Sequence, residues 1–190
     1  MSMAEQQPAA TRCASLVLVV GGARSGKSAY AERLVEASGR ACVYVASGQA
    51  FDGEMQERIG QHQSRRGAQW RTVEEPLDLA GVVARESAAE TCLLIDCLTL
   101  WTSNLMHAGC ELDTAANELC AALLRARGPV VLVSNEVGLG IVPENKLARR
   151  FRDEAGRINQ QVANACDTVM FMASGQALQL KPSLNPEIRL

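Results

Sequence analysis

Five apolar residues, Leu16 to Val20, run directly into Gly21-Gly22-Ala23-Arg24-Ser25-Gly26-Lys27-Ser28, and a helix-compatible stretch, Ala29 to Val35, follows at once. A strand, a tight glycine turn and a helix in that order commit the chain to an α/β architecture with a buried parallel strand. The octapeptide also meets every fixed position of G-x-x-x-x-G-K-[ST]. In such a loop backbone N–H groups curl round a phosphate, the following helix offers its positive end, and the lysine neutralises oxygens farther along a triphosphate. Here that lysine is Lys27, and Ser28 is placed to put its hydroxyl on a magnesium ion bridging phosphate oxygens. The plain alternative is a glycine-rich turn with an incidental lysine, and the flanking strand and helix argue against it.

The rest of the chain repeats the alternation. Apolar or β-branched runs at Ala41 to Ala46, Trp70 to Val73, Cys92 to Ile95, Val130 to Ser134 and Thr168 to Met172 read as strands separated by helical patterns, the signature of a mostly parallel sheet covered by helices. Several runs are apolar without alternation, as strands buried on both faces are. Gln176 to Lys181 adds a last strand turned back at Ser174-Gly175. The clearest helix is Pro143 to Cys166, where Leu147, Phe151, Ala155, Ile158 and Val162 step by three or four and form a core stripe, with Arg149, Arg150, Asp153 and Gln160 outside it.

With 190 residues the chain suits one domain with a real core. Its expected layout is a frayed extension over 1–14, one nucleotide-binding domain over 15–181 and a loose tail over 182–190. A net charge of −2 provides no positive field to gather nucleic acid. Seven cysteines at 13, 42, 92, 97, 110, 120 and 166 form neither a C-x-x-C pair nor a metal framework, and read as buried thiols of a reducing cytoplasm. The apolar run at 16–20 is far too short to span a bilayer, so a cytoplasmic protein without a transmembrane segment is expected.

In an open α/β sheet the ligand lies at the carboxyl ends of the strands. Leu93-Leu94-Ile95-Asp96 has the form of a strand whose terminal carboxylate holds magnesium, although an aspartate capping the next helix has the same look. Ser134-Asn135-Glu136 opens a glycine-punctuated loop to Pro143, and reads equally as a segment that closes over a substrate or as an ordinary turn. His62 continues the helical face of Phe51, Met55 and Ile59, with Arg65 and Arg66 three and four residues on. A largely unprotonated imidazole there is a base or nucleophile, or a packed histidine bonded to backbone. His107 lies near a helix end and is given no chemistry; Trp70 and Trp101 read as core or subunit-interface residues.

Taken together, Gly21 to Ser28, the His62 segment with Arg65-Arg66, Trp70 to Pro76, Asp96-Cys97-Leu98-Thr99-Leu100-Trp101 with Asn104-Leu105, and the block from Asn135 to Gln160 closely resemble the bifunctional adenosylcobinamide kinase and adenosylcobinamide-phosphate guanylyltransferase family of cobalamin synthesis. The likeness runs from about Leu16 to Lys181, and its specificity lies in Gly138-x-Gly140-x-Val142-Pro143-Glu144-Asn145 and Phe151-Arg152-Asp153-x-x-Gly156-Arg157-x-Asn159-Gln160. It implies a three-layer, RecA-like P-loop fold with an antiparallel C-terminal strand and a homo-oligomer, often a trimer. It also implies two reactions: phosphorylation of adenosylcobinamide by ATP or GTP, then transfer of GMP from GTP to adenosylcobinamide phosphate. His62 falls on the family's guanylylated histidine, with Lys27 the second catalytic residue. The nucleotide contacts fall on Gly21, Gly22, Ala23, Arg24, Ser25, Gly26, Lys27, Ser28, on Ala46, Ser47, Gly48, on Gln63, Ser64, Arg65, Arg66, and on Glu74 and Asp96. A carboxylate accepts from guanine N1–H and N2–H together, which suits Glu74 as base reader. Asp96 suits guanine or Mg2+, the latter shared with Ser28.

Three rivals use the same loop. A GTPase switch reads guanine with N-K-x-D, but Asn145-Lys146 is followed by Leu147-Ala148. A small-metabolite kinase without an enzyme adduct, or a non-enzymatic regulatory module, would leave His62 structural.

Overall fold

The computed structural model describes residues 15–48, 67 and 69–183. The chain forms strands β1 (Leu16–Gly21), β2 (Ala41–Ala46), β3 (Trp70–Glu74), β4 (Thr91–Asp96), β5 (Val130–Asn135), β6 (Thr168–Ala173) and β7 (Gln176–Lys181). Helices α1 (Lys27–Ala37), α2 (Leu79–Glu86), α3 (Leu98–Ala108), α4 (Leu112–Leu124) and α5 (Lys146–Ala165) connect them. One seven-stranded sheet runs in the order β3-β2-β4-β5-β1-β6-β7, parallel throughout except for β7 against β6. Every expected strand is present, each within one residue of its expected ends.

The position of each strand follows its sequence. β4 and β5, near-continuous runs of Leu, Ile and Val, lie inside the sheet and bury both faces, whereas the edge strands β3 and β7 mix exposed and half-buried residues. On one face Leu16, Leu18, Val43, Val45, Leu93, Ile95, Val130 and Leu132 meet Leu79, Val83, Trp101, Leu119, Leu123, Ile158 and Val162 of α2 to α5. On the other, Val19, Tyr44, Leu94, Val131 and Val133 meet Ala31 and Val35 of α1. Helices therefore cover both faces. Each fully buried side chain of this kind contributes roughly 1.5–3 kcal/mol relative to exposure.

Two expectations are corrected. The long helix begins at Lys146, not Pro143, because the Asn145 side chain caps it, Oδ1 accepting from the N–H groups of Leu147 at 2.8 Å and Ala148 at 3.2 Å. Its first turn continues an exposed loop, so Leu147 is 61% exposed; of the expected stripe, Ala155, Ile158 and Val162 are buried and Phe151 is half-buried. The cysteines also divide. Cys42, Cys92, Cys97 and Cys166 are buried, whereas Cys110, just before α4, and Cys120, on it, are only half-buried, and Cys13 lies outside the described residues. Trp101 is a core residue whose indole N–H donates to the Leu77 carbonyl at 2.8 Å, while Trp70 is half-buried and donates to Glu36. His107 occupies the last turn of α3, as expected.

Cys97, between β4 and α3, carries a pH signature. Burial first, then the Asp96 charge, pushes its thiol from 9.0 up to about 11, against smaller opposing effects of the Leu100 and Thr99 N–H groups and Lys27. The thiol is neutral in folded and unfolded chains below pH 9. The unfolded chain ionises first as pH rises, so this contribution to stability is complete below pH 9 and is lost on approaching pH 11. Urea unfolding of the wild type is expected to weaken across that window, and Cys97→Ala to weaken less steeply; equal slopes would refute the assignment.

Candidate functional site

The phosphate-binding motif folds as a tight loop between β1 and α1. Gly26 takes φ 93°, a left-handed conformation open to glycine, and immediately precedes Lys27 at the start of the helix. At Gly21 a Cβ would fall 2.5 Å from the Met172 carbonyl oxygen, so the loop leaves the sheet through a gap that admits only glycine. The loop is braced from β6-β7: the N–H of Gly175, in the turn Ser174-Gly175, donates to the Ser25 carbonyl at 2.9 Å. Both turn residues have positive φ, as a two-residue hairpin turn of this twist requires. Lys27 is 9% exposed, and its ammonium reaches back over the loop to donate to the Gly22 carbonyl at 3.0 Å. The Ser25 hydroxyl is buried in the same loop without a partner among the described residues, a donor suited to a phosphate oxygen.

The carboxyl ends of the neighbouring strands complete one rim. Ala46 is registered with Glu74 on one side and with Asp96 on the other, so the row runs Glu74, Ala46, Asp96 across β3, β2 and β4. Asp96 is half-buried and accepts the Tyr44 phenol proton at 3.3 Å; Tyr44 in turn meets Trp70 edge-on, ring centroids 6.5 Å apart. The N-cap residue of α3 is Cys97, one position beyond Asp96. Lys27 acts electrostatically on the Cys97 thiol beside Asp96, which puts the lysine and the β4 end in one locale. The oxygen set of Ser28 and Asp96 fits Mg2+, and the orphaned Ser25 hydroxyl fits the phosphate it would accompany.

The turn after β2 is pinned from beneath. Ser47 is fully buried; its N–H donates to the Asp96 carbonyl at 3.2 Å and its hydroxyl to the Cys97 carbonyl at 2.8 Å. The buried Asn104 amide donates to the carbonyls of Ser47 at 2.6 Å and Pro76 at 3.1 Å, tying the loops after β2 and β3 to α3. A second network fixes the end of β5. The Thr99 and Ser134 hydroxyls lie 3.2 Å apart, the Asn135 N–H donates to Thr99 at 2.7 Å, and Asn159 donates to the Asn135 carbonyl at 3.2 Å. Glu136 then donates its N–H to the Gly21 carbonyl at 3.1 Å, joining this loop to the start of the phosphate loop.

Gly21 to Ser28, Ala46 to Gly48, Glu74 and Asp96 thus occupy one edge of the sheet. His62, Gln63, Ser64, Arg65 and Arg66 lie outside the described residues. Tyr44 carries no signal in sequence, since it acts through a partner far along the chain, and Cys97, Thr99 and Asn159 are visible there only as part of the family pattern. Asn104 is visible there only as part of a family pattern.

No helix among the described residues is long and apolar enough to cross a membrane. Among solved structures, the flagellar accessory protein FlaH of Methanocaldococcus jannaschii matches at TM-score 0.51 and 14% identity, over 88% of this chain and 78% of that one. The RadB recombinase matches at TM-score 0.50 and 17% identity, over 83% and 73%. Both likenesses concern the fold, which is the RecA-like P-loop type. The bifunctional adenosylcobalamin biosynthesis protein CobP of Pseudomonas aeruginosa is 49% identical over 86% of this chain and 96% of its own length. The corresponding CobU proteins of Salmonella typhimurium and Escherichia coli are 43% and 41% identical, each over 87% of this chain and 99% of theirs. Together with a match of residues 17–180 to the model of the CobU family, cobinamide kinase / cobinamide phosphate guanyltransferase, these likenesses show that the chain belongs to that family.

Proposed function

We propose that this protein phosphorylates the aminopropanol hydroxyl of adenosylcobinamide with ATP or GTP, then transfers GMP from GTP to the new phosphate, giving adenosylcobinamide-GDP and pyrophosphate. The observation that carries this reading is the phosphate loop itself: a buried lysine folded over its concavity and a buried hydroxyl without a partner among the described residues, in a chain of this family.

Lys27 and the loop N–H groups hold the phosphates and stabilise charge as it shifts onto the leaving group, at a site partly screened from water. Ser28 and Asp96 would hold Mg2+, whose positive charge supplies further neutralisation of the phosphate oxygens. Glu74, exposed at the end of β3, reads guanine. It stands four strand spacings from β1, roughly 19 Å, so a nucleotide touching both lies along the rim. His62 attacks the α-phosphorus as neutral imidazole and expels pyrophosphate; the phosphate of the acceptor then displaces the imidazole. Arg65 and Arg66 suit the phosphate oxygens of that adduct. The working form we propose is a cytoplasmic homo-oligomer, a trimer, and light scattering giving a monomeric mass would remove that part.

Incubating the protein with magnesium and α-phosphate-labelled GTP, without corrinoid, should leave acid-labile, alkali-stable label on His62. His62→Ala should lose the label and guanylyl transfer yet keep much of the phosphorylation; an unlabelled wild type that phosphorylates cobinamide would leave a kinase alone. Lys27→Ala should lower both reactions by about 10²–10³-fold, and retention of either would exclude a shared phosphate site. Glu74→Gln should raise the KM for GTP about tenfold, near 1.4 kcal/mol, with ATP little changed. Unaltered preference would remove Glu74 as the guanine reader.

A further inference from the structure

The two half-reactions ask different things of the protein. The acceptor in guanylyl transfer is a phosphate, already anionic, with no proton to remove before it attacks. The acceptor in phosphorylation is an alcohol, which must lose its proton to a group within hydrogen-bond reach. We propose that Glu136 is that base, an assignment that rests on the bifunctional reading above and adds a residue to its first step.

The topology narrows the choice. In the sheet order, β1 has two neighbours, β5 and β6, so theirs are the strand ends nearest the phosphate loop. β6 ends in Ala173-Ser174-Gly175, without a carboxylate, and β5 ends in Asn135 followed by Glu136. Asn135 is registered with Gly21, the first residue of the phosphate loop, and the Glu136 N–H is bonded to the Gly21 carbonyl at 3.1 Å. The root of the carboxylate is therefore fixed to the loop that holds the phosphates. The other described carboxylates of this rim are placed or engaged differently. Glu74 is four strands away, and Glu75 accepts the N–H groups of Leu77 at 3.0 Å and Asp78 at 2.9 Å. Asp96 lies two strands from β1 and accepts from Tyr44.

Glu136 is half-buried, and one carboxylate oxygen, Oε1, accepts the Gly138 N–H at 2.7 Å. That bond orients the carboxylate and leaves Oε2 to take a proton; among the described residues no basic side chain pairs with it. The backbone beneath is held at both sides, by Thr99 at the Asn135 N–H and by Asn159 at the Asn135 carbonyl. A base so mounted has what proton transfer needs first, a backbone fixed to the start of the phosphate loop and a carboxylate held in one orientation.

In the step, the hydroxyl oxygen forms a bond to the γ-phosphorus while its proton passes to Glu136. The bond between the γ-phosphorus and the β,γ-bridging oxygen breaks, and its electron pair leaves on the nucleoside diphosphate. Glu136 then returns the proton to water. Nothing is oxidised or reduced.

The test uses the full chain and measures the two reactions separately: phosphorylation of cobinamide with ATP, and guanylyl transfer from GTP to cobinamide phosphate supplied as substrate. Glu136→Gln keeps the acceptor for the Gly138 N–H and is expected to lower kcat for phosphorylation by about 10²–10⁴-fold, with transfer changed less than about twofold. Glu136→Asp should retain more phosphorylation than Glu136→Gln, since it keeps an ionisable carboxylate. Transfer by the same preparation reports that the variant is folded. Equal loss of both reactions, or phosphorylation by Glu136→Gln within about threefold of wild type, would overturn the assignment. A wild type that transfers GMP but does not phosphorylate cobinamide would instead bring down the bifunctional reading, and the base with it.

Discussion

The close approach of the phosphate loop to β6 and its hairpin governs the rest of the site. Gly21 passes so near the Met172 carbonyl that no side chain fits, and the Gly175 N–H holds the Ser25 carbonyl from beyond the end of the sheet. Gly26, in its left-handed turn, lies against the same hairpin: a Cβ there would come within 3.3 Å of the Gly175 Cα. The antiparallel β7, an irregular addition to an otherwise parallel sheet, thus has a structural task. It carries the turn that braces the loop on the side away from β5, while Glu136 is tied to Gly21 on the β5 side. With both flanks held, the loop has little freedom to collapse, and its N–H groups are organised before any anion arrives. Electrostatic stabilisation depends on such pre-set dipoles.

The proposed pair of reactions asks one phosphate site to serve two chemistries. Kinase and nucleotidyl transfer both need a triphosphate held along one rim, but the electrophile differs, γ-phosphorus in one and α-phosphorus in the other. The described rim supplies separate polar groups at separate strands: Glu136 beside the loop, Asp96 two strands over, Glu74 at the far end. The connecting loops are joined by buried networks, with Asn104 holding the turns after β2 and β3 together and Thr99 and Asn159 holding the end of β5. Buried polar atoms of this kind are costly unless satisfied, and here their partners are the backbone groups that shape the rim.

Much of the fold is legible in the order of the amino acids. The central strands β1, β4 and β5 are written mostly in valine, leucine and isoleucine, and Gly21 to Ser28 is legible because it meets every fixed position of the phosphate-loop motif, with glycine at the left-handed Gly26. Where the reading slips, the cause is tertiary. Leu147 continues a periodic stripe, yet the first turn of α5 follows an exposed loop and finds nothing to pack against; Cys110 and Cys120 are apolar by composition but sit where α4 and its approach reach the surface. Periodicity reports which face a residue occupies, not whether something covers that face.

The α/β class, the phosphate loop with Lys27 and Ser28, and the family pattern are all encoded by residues adjacent in the chain, and for that reason the amino acids alone specify them. Which strands flank β1 is a property of the folded domain, and with it the fact that Glu136 follows the strand beside β1 and is bonded to Gly21, while Asp96 and Glu74 end strands two and four places away. Folding likewise paired Tyr44 with Asp96, Asn104 with Ser47 and Pro76, and Asn159 with Asn135. Strand order in a parallel sheet is set by how crossovers pack across the whole domain. Residues 52 and 57 positions apart become neighbours through that packing, and no local pattern records it.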